Sequence, residues 1–165
     1  MADTSTLHGL DDVLRKLQSL PPEIVSKRGG PVKSGLRKGA TVVRDEWRAQ
    51  VQRIIDAPNK DEIPSKSTGL LQKSIIATRN PRPQQLGANE AYRVRIKSAT
   101  YPATFGKNVT AYGVGRMLEV GTERRAPMPW AVPGFMASRE QALNTVVTEI
   151  NRAIQRVIRK MEKAR

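Results

Sequence analysis

Few side chains in this sequence could do acid–base, nucleophilic or metal chemistry. There is no cysteine and one histidine, His8, which excludes disulfides, thiolate metal sites, cysteine nucleophiles and any two-histidine zinc motif. A Ser/His/Asp constellation would have to use His8, which stands in a polar stretch ahead of the first apolar periodicity and reads as a surface residue. Glu119, between Leu118 and Val120, is the exception among the carboxylates in having apolar neighbours of the kind that tune a general acid. No second carboxylate is identifiable beside it, as a paired-carboxylate hydrolase requires. An enzyme built on this chain would have to work through Glu119.

Two glycine clusters invite a phosphate-binding reading and fail it. Gly29-Gly30-Pro31-Val32-Lys33-Ser34 places Val32 where a P-loop needs glycine before its Lys-Ser, and Gly113-Val114-Gly115 lacks the third glycine of a dinucleotide fingerprint. Both read as turn or packing glycines. Asn108-Val109-Thr110 has the form of a glycosylation acceptor, but the first six residues show neither a charged n-region nor an apolar h-region, so the motif carries no weight. No cofactor is expected.

The remaining chemistry is charge. The 165 residues hold 29 Lys and Arg against 15 Asp and Glu, a net charge of +14. Such a balance favours polyanionic partners through counterion release, or keeps a solvated surface soluble. The cations spread over one long helix, over Arg93, Arg95 and Lys97, and over Arg152, Arg156, Arg159, Lys160, Lys163 and Arg165. Aromatic residues make up 4% of the chain, too few for a single-strand stacking platform, and no RRM, KH or zinc-finger signature is present. The pattern implies a diffuse positive field without a base-reading element.

The elements that must position these residues follow from periodicity. Leu10, Val13, Leu14, Leu17 and Leu20 mark one face of a helix over about 10–20, with Asp11 and Asp12 in its first turn and Pro21-Pro22 at its end. A second helix starts near Pro22 and is interrupted at Gly29-Gly30-Pro31. The next spans about 32–55 on the stripe Val32, Leu36, Ala40, Val43, Trp47, Val51 and Ile54, and its Gly35 and Gly39 predict close approach of a neighbouring element. A sheet region covers about 74–122. Its clearest strand is Tyr92–Lys97, alternating apolar Tyr92, Val94 and Ile96 with basic Arg93, Arg95 and Lys97. Tyr112 to Glu119 predicts a short helix stopped by Gly121. A long helix over about 133–162, ~45 Å in length, carries the stripe Met136, Leu143, Val146, Ile150, Ile154, Val157 and Met161, with its tail expected to leave the core. The length suits one domain, and the fold class is α+β: a small antiparallel sheet packed with two N-terminal helices and a long C-terminal helix. The mean hydropathy is −0.50, and no window approaches a membrane span.

Four stretches in this order resemble the phage tail-component family of tail-completion and head–tail joining (neck) proteins of long-tailed phages. They are Gly9-Leu10-Asp11-Asp12-Val13-Leu14-Arg15-Lys16-Leu17; Gly39-Ala40-Thr41-Val42-Val43-Arg44-Asp45-Glu46; Thr68-Gly69-Leu70-Leu71-Gln72-Lys73-Ser74-Ile75; and Tyr112 through Glu119-Val120-Gly121-Thr122 with Ala126-Pro127. The last is the most specific. The resemblance implies a non-enzymatic virion protein, made in the host cytoplasm, that joins tail to head. It further implies a hexameric ring of copies of itself, adjacent neck and tail proteins as partners, double-stranded DNA passing through, and no membrane. On that reading Glu119, Gly121, Thr122, Arg124, Arg125, Pro127 and Trp130 serve a subunit or neck interface. Arg93, Arg95, Lys97, Arg152, Arg156 and Arg159 would then face DNA or an acidic neighbour. The alternatives are a free basic nucleic-acid-binding protein, or the adjoining tail terminator or stopper of the same neck.

Overall fold

The computed structural model describes residues 30–56 and 67–163. The helix expected over 10–20, the start of a second near Pro22, and His8 lie outside the described residues. Within them the order is α1 (Pro31–Asp56), α2 (Leu70–Ser74), β1 (Ile75–Arg79), β2 (Tyr92–Ile96), α3 (Ala111–Val120) and α4 (Ala131–Lys163), with 3-10 turns at Pro83–Leu86 and Ala103–Phe105. The α+β class holds, though the expected sheet region contains less sheet than its span. Two five-residue strands pair antiparallel, and beyond them the backbone makes isolated bridges at Thr100–Thr110 and Thr122–Arg125. Prolines and glycines through this stretch remove ladder donors and favour turns.

Helix α1 opens on Pro31, whose fixed φ suits a first helical position, and runs antiparallel along α4. Gly35 and Gly39 make that approach close. A Cβ on Gly35 would lie 2.6 Å from Ile150 Cγ1 and 2.9 Å from the Val146 carbonyl oxygen; one on Gly39 would lie 2.4 Å from Val146 Cγ2. The facing stripe of α4 begins with Gly134, Ser138 and Ala142 and continues to Ile150 and Ile154, all buried. Gly134 receives Trp47 and Gln50 from α1, with Trp47 Cδ1 3.0 Å from where a Cβ would sit. Here the structure corrects the sequence pattern. Met136, placed on the inward stripe by its hydrophobicity, is 55% exposed. Small residues at steps of four take the contact because they allow a shorter interaxial distance than methionine would.

The tail of α4 also stays closer than expected. Ala153, Arg156, Val157, Arg159 and Lys160 lie beside Gly30, Pro31 and Ser34 at the start of α1, and Ile154 is 8% exposed. Glu149, buried in this seam, pairs with Lys38 of α1 at 2.6 Å and with Arg152 at 2.7 Å. The hydrogen bond from Lys38 holds its carboxyl below the usual carboxylate range.

The core lies at the other end of α1. Val51, Leu71, Ile75 and Trp130 are buried together, with Trp47, Ile54, Val94, Ile96, Val114 and Leu118 packed around them. Trp47 and Trp130 meet edge to face, with ring centroids 5.4 Å apart, a geometry worth about 1 kcal/mol beyond area burial. Gln72 fastens α2 to α1 by donating to the Arg48 carbonyl and to Gln52 Oε1. Strand β2 alternates as its sequence predicts, whereas burial along β1 falls from Ile75 to Arg79 without alternating. Val94 and Ile96 face the core, and Arg93 and Arg95 are exposed on the far side.

Candidate functional site at the junction of α3 and α4

The segment most specific in sequence forms one tightly tied corner. Thr110 caps α3, its Oγ1 accepting from the Gly113 N–H at 3.0 Å, an ordinary N-cap contact. The helix ends at Gly121, whose N–H donates to the Met117 carbonyl at 2.8 Å and whose φ is +79°. A side chain there would be strained twice: the backbone lies in the left-handed region, and a Cβ would come within 2.9 Å of the Arg125 carbonyl oxygen and of Pro127 N. Thr122 and Arg125 then exchange backbone hydrogen bonds at 2.9 and 3.2 Å, and the Met128 N–H returns to the Leu118 carbonyl at 2.7 Å.

Glu119 closes the corner. One carboxylate oxygen accepts from the Trp130 and Ala131 N–H groups at 2.7 and 2.8 Å, and the other from the Val132 N–H at 3.1 Å. These are donors that the first turn of α4 leaves unpaired, and the helix dipole adds to their attraction for a negative charge. Partial burial pushes the Glu119 carboxyl up, but the three backbone donors together outweigh it and hold the group below its ordinary value. A carboxylate so occupied is a structural anion. Its lowered pKa is opposite to what a general acid needs.

The expected site residues divide by role. Glu119 and Gly121 build the corner. Trp130 is 3% exposed and donates its indole N–H to the Gly115 carbonyl at 2.9 Å, so its ring serves the chain's own core and has almost no surface to offer a neighbour. Thr122, Arg124 and Pro127 are exposed on the connecting loop, with Arg125 half-buried beside them. Around this loop stand apolar side chains that periodicity assigned no surface role: Met117 and Val120 at the end of α3, and Val132, Phe135 and Met136 in the first turns of α4, between 44% and 69% exposed. For the three on α4 the signal was present in the sequence, since Gly134, Ser138 and Ala142 fall at steps of four in phase with close packing and turn Val132, Phe135 and Met136 outward.

The six basic residues do not form one patch. Arg93, Arg95 and Lys97 are exposed beside the end of α1 that carries Arg48, whereas Arg152, Arg156 and Arg159 sit on the part of α4 that flanks Gly35 and Pro31. Thirteen residues of α1, roughly 20 Å of helix, separate Gly35 from Arg48. Arg152 is in addition engaged by Glu149.

Among the described residues no group of three or more His, Cys, Asp or Glu side chains could hold a metal ion, and no helix is long and apolar enough to cross a membrane. No protein-family model matches the chain, and no curated protein or solved structure was found to match it.

Proposed function

We propose that the chain is a structural subunit of the phage neck, a tail-completion protein that joins tail to head as a ring around the DNA channel. The observation that carries this reading is the α3–α4 corner. The residues behind the strongest family resemblance, Tyr112 to Thr122 with Ala126-Pro127, belong to a rigidly tied junction surrounded by outward-facing Met117, Val120, Val132, Phe135 and Met136. Large apolar side chains held at one corner of a strongly charged chain are what an unfilled subunit interface presents. A rigid corner also suits a heterologous contact, in which one face of each copy meets a different face of the next and the rotation closes into a ring. Six copies, with adjacent neck and tail proteins above and below, make up the proposed assembly, in the virion and before that in the host cytoplasm.

The rival reading, a free nucleic-acid-binding protein, draws on the charge of +14 but has to bridge two basic groups set apart along α1. Electron microscopy of the purified chain, with labelling of virions, separates the two. The neck reading expects closed six-fold rings and label at the junction of head and tail. A chain that stays monomeric at every concentration and is absent from virions overturns it. Duplex DNA affinity that falls steeply with salt in that monomer would establish the rival.

A further inference from the structure

Among the described residues the two-stranded sheet leaves one edge open, and the side chains along that edge define what could add to it. The register pairs Ile75 with Ile96, Ala77 with Val94 and Arg79 with Tyr92. The flanking ladder bonds run from the Lys97 N–H to the Ser74 carbonyl at 2.7 Å and from the Asn80 N–H to the Ala91 carbonyl at 2.8 Å. In an antiparallel ladder, hydrogen-bonded and non-hydrogen-bonded pairs alternate. The bonded pairs within the strands are therefore Ile76–Arg95 and Thr78–Arg93. The N–H and C=O groups of Tyr92, Val94 and Ile96 point away from β1, and among the described residues no strand pairs with them. The opposite edge differs: the Ile75 carbonyl on β1 accepts two hydrogen bonds from the Arg48 guanidinium, at 2.8 and 3.1 Å.

Arg93 and Arg95 on β2 and Lys97 just past its end alternate with the half-buried residues and are exposed, about 7 Å apart at two residues per step. Tyr92, Val94 and Ile96 share the other face, half-buried. A strand laid against this edge would set every second side chain beside the cations and the intervening ones beside apolar surface.

We propose that the free edge of β2 is a docking site for an extended segment of an acidic partner protein, in which carboxylates alternate with apolar residues, added as a third strand. Main-chain hydrogen bonds supply the adhesion and the basic comb selects the sequence. Nucleic acid fits this edge less well, because phosphates accept hydrogen bonds but cannot donate to the outward carbonyls of Tyr92, Val94 and Ile96. A second copy presenting the same edge would bring Arg93, Arg95 and Lys97 against their own kind, the like-charge arrangement that keeps edge strands from self-pairing. A ring-forming subunit and a free monomer would present this edge alike.

The test uses the full chain and the blocked peptide acetyl-Val-Glu-Val-Glu-Val-Glu-Val-Glu-amide at about 150 mM salt. Titration calorimetry gives the affinity, and hydrogen exchange gives protection at single amides. Saturable binding is expected, with slowed exchange at the Tyr92, Val94 and Ile96 amides. Affinity should fall about tenfold or more in Arg93→Glu/Arg95→Glu, and binding should be lost when alternate peptide nitrogens are N-methylated. A short DNA duplex at equal concentration should not displace the peptide. Absence of saturable binding would overturn the proposal and leave the comb as protection against aggregation. Binding without protection at those three amides, binding indifferent to N-methylation, or displacement by the duplex would overturn it equally.

Discussion

At the scale of single residues, Glu119 is the side chain on which the geometry depends most. It ties the end of α3 to the start of α4 through three backbone donors, and its folded carboxyl titrates below the ordinary value of 4.5. The stability it supplies is therefore complete above about pH 4.5 and drains away as pH falls through the lower folded value. Glu90, held low by the Arg79 hydrogen bond, and Glu149 lose their contributions over the same acid range. Glu119→Gln should flatten the acid limb of a stability–pH curve without abolishing it, a difference that denaturant titrations from pH 7 to pH 3 would resolve. Glu119→Ala removes the acceptor altogether and should cost about 1–2 kcal/mol at neutral pH, as loss of a helix cap does. Equal acid limbs in the wild-type and Gln proteins would show that the negative charge of Glu119 contributes nothing to the clamp.

Between elements, the seam of α1 and α4 turns on the absence of side chains. Ordinarily Gly→Ala in a helix interior gains about 1 kcal/mol of propensity. At Gly35 the added methyl would meet Ile150 Cγ1 at 2.6 Å and the Val146 carbonyl oxygen at 2.9 Å, and the second is backbone that cannot rotate aside. Overpacking of this kind costs about 1–3 kcal/mol. Gly35→Ala should accordingly lower the urea midpoint, and Gly39→Ala should do the same through Val146, with the slope of the transition unchanged. A rise in midpoint for both would mean that the helices are free to separate. The strand pair adds a second lesson at this scale. Alternation along Tyr92–Ile96 was plain in the sequence and survives in the fold. What periodicity leaves open is which edge of β2 finds a partner, and this follows only from the register against Ile75–Arg79.

For the whole molecule, the chief feature is the exposed apolar corner on a chain of net charge +14. Val132 and Phe135 are 59% and 47% exposed, so Val132→Asp/Phe135→Asp should leave thermal stability nearly unchanged, within about 0.5 kcal/mol per surface site. In a ring built through this corner, the same pair should abolish assembly, because two carboxylates would be desolvated at the contact. Analytical ultracentrifugation of the variant beside the wild type reads this directly. Rings that persist in the variant would exclude the corner as their interface. Charge enters at this scale as well. The two basic groups lie at different ends of α1, so any single ligand that engages both must span roughly 20 Å of helix, which a neighbouring ring or a passing duplex can do and a small anion cannot.

The sequence by itself determined the elements and the chemistry they lack. Apolar spacing placed α1, α3, α4 and the strand at Tyr92–Lys97 to within a few residues, Gly121 marked the end of α3, and the missing cysteines and lone His8 closed off thiol and two-histidine chemistry. Tertiary structure decided which surfaces those elements cover. The partners of Gly35 lie at Val146 and Ile150, more than a hundred residues along the chain. The partners of Glu119 are backbone amides, which carry no signature of residue type. Met136 and Ala142 were both apolar and both eligible for the seam. Ala142 lies in it and Met136 outside it, because closely approaching helices admit the smaller side chain and turn the larger one out. Local periodicity measures how apolar a face is, whereas the distance at which two faces can meet depends on the other face, and that face is supplied only when the chain folds.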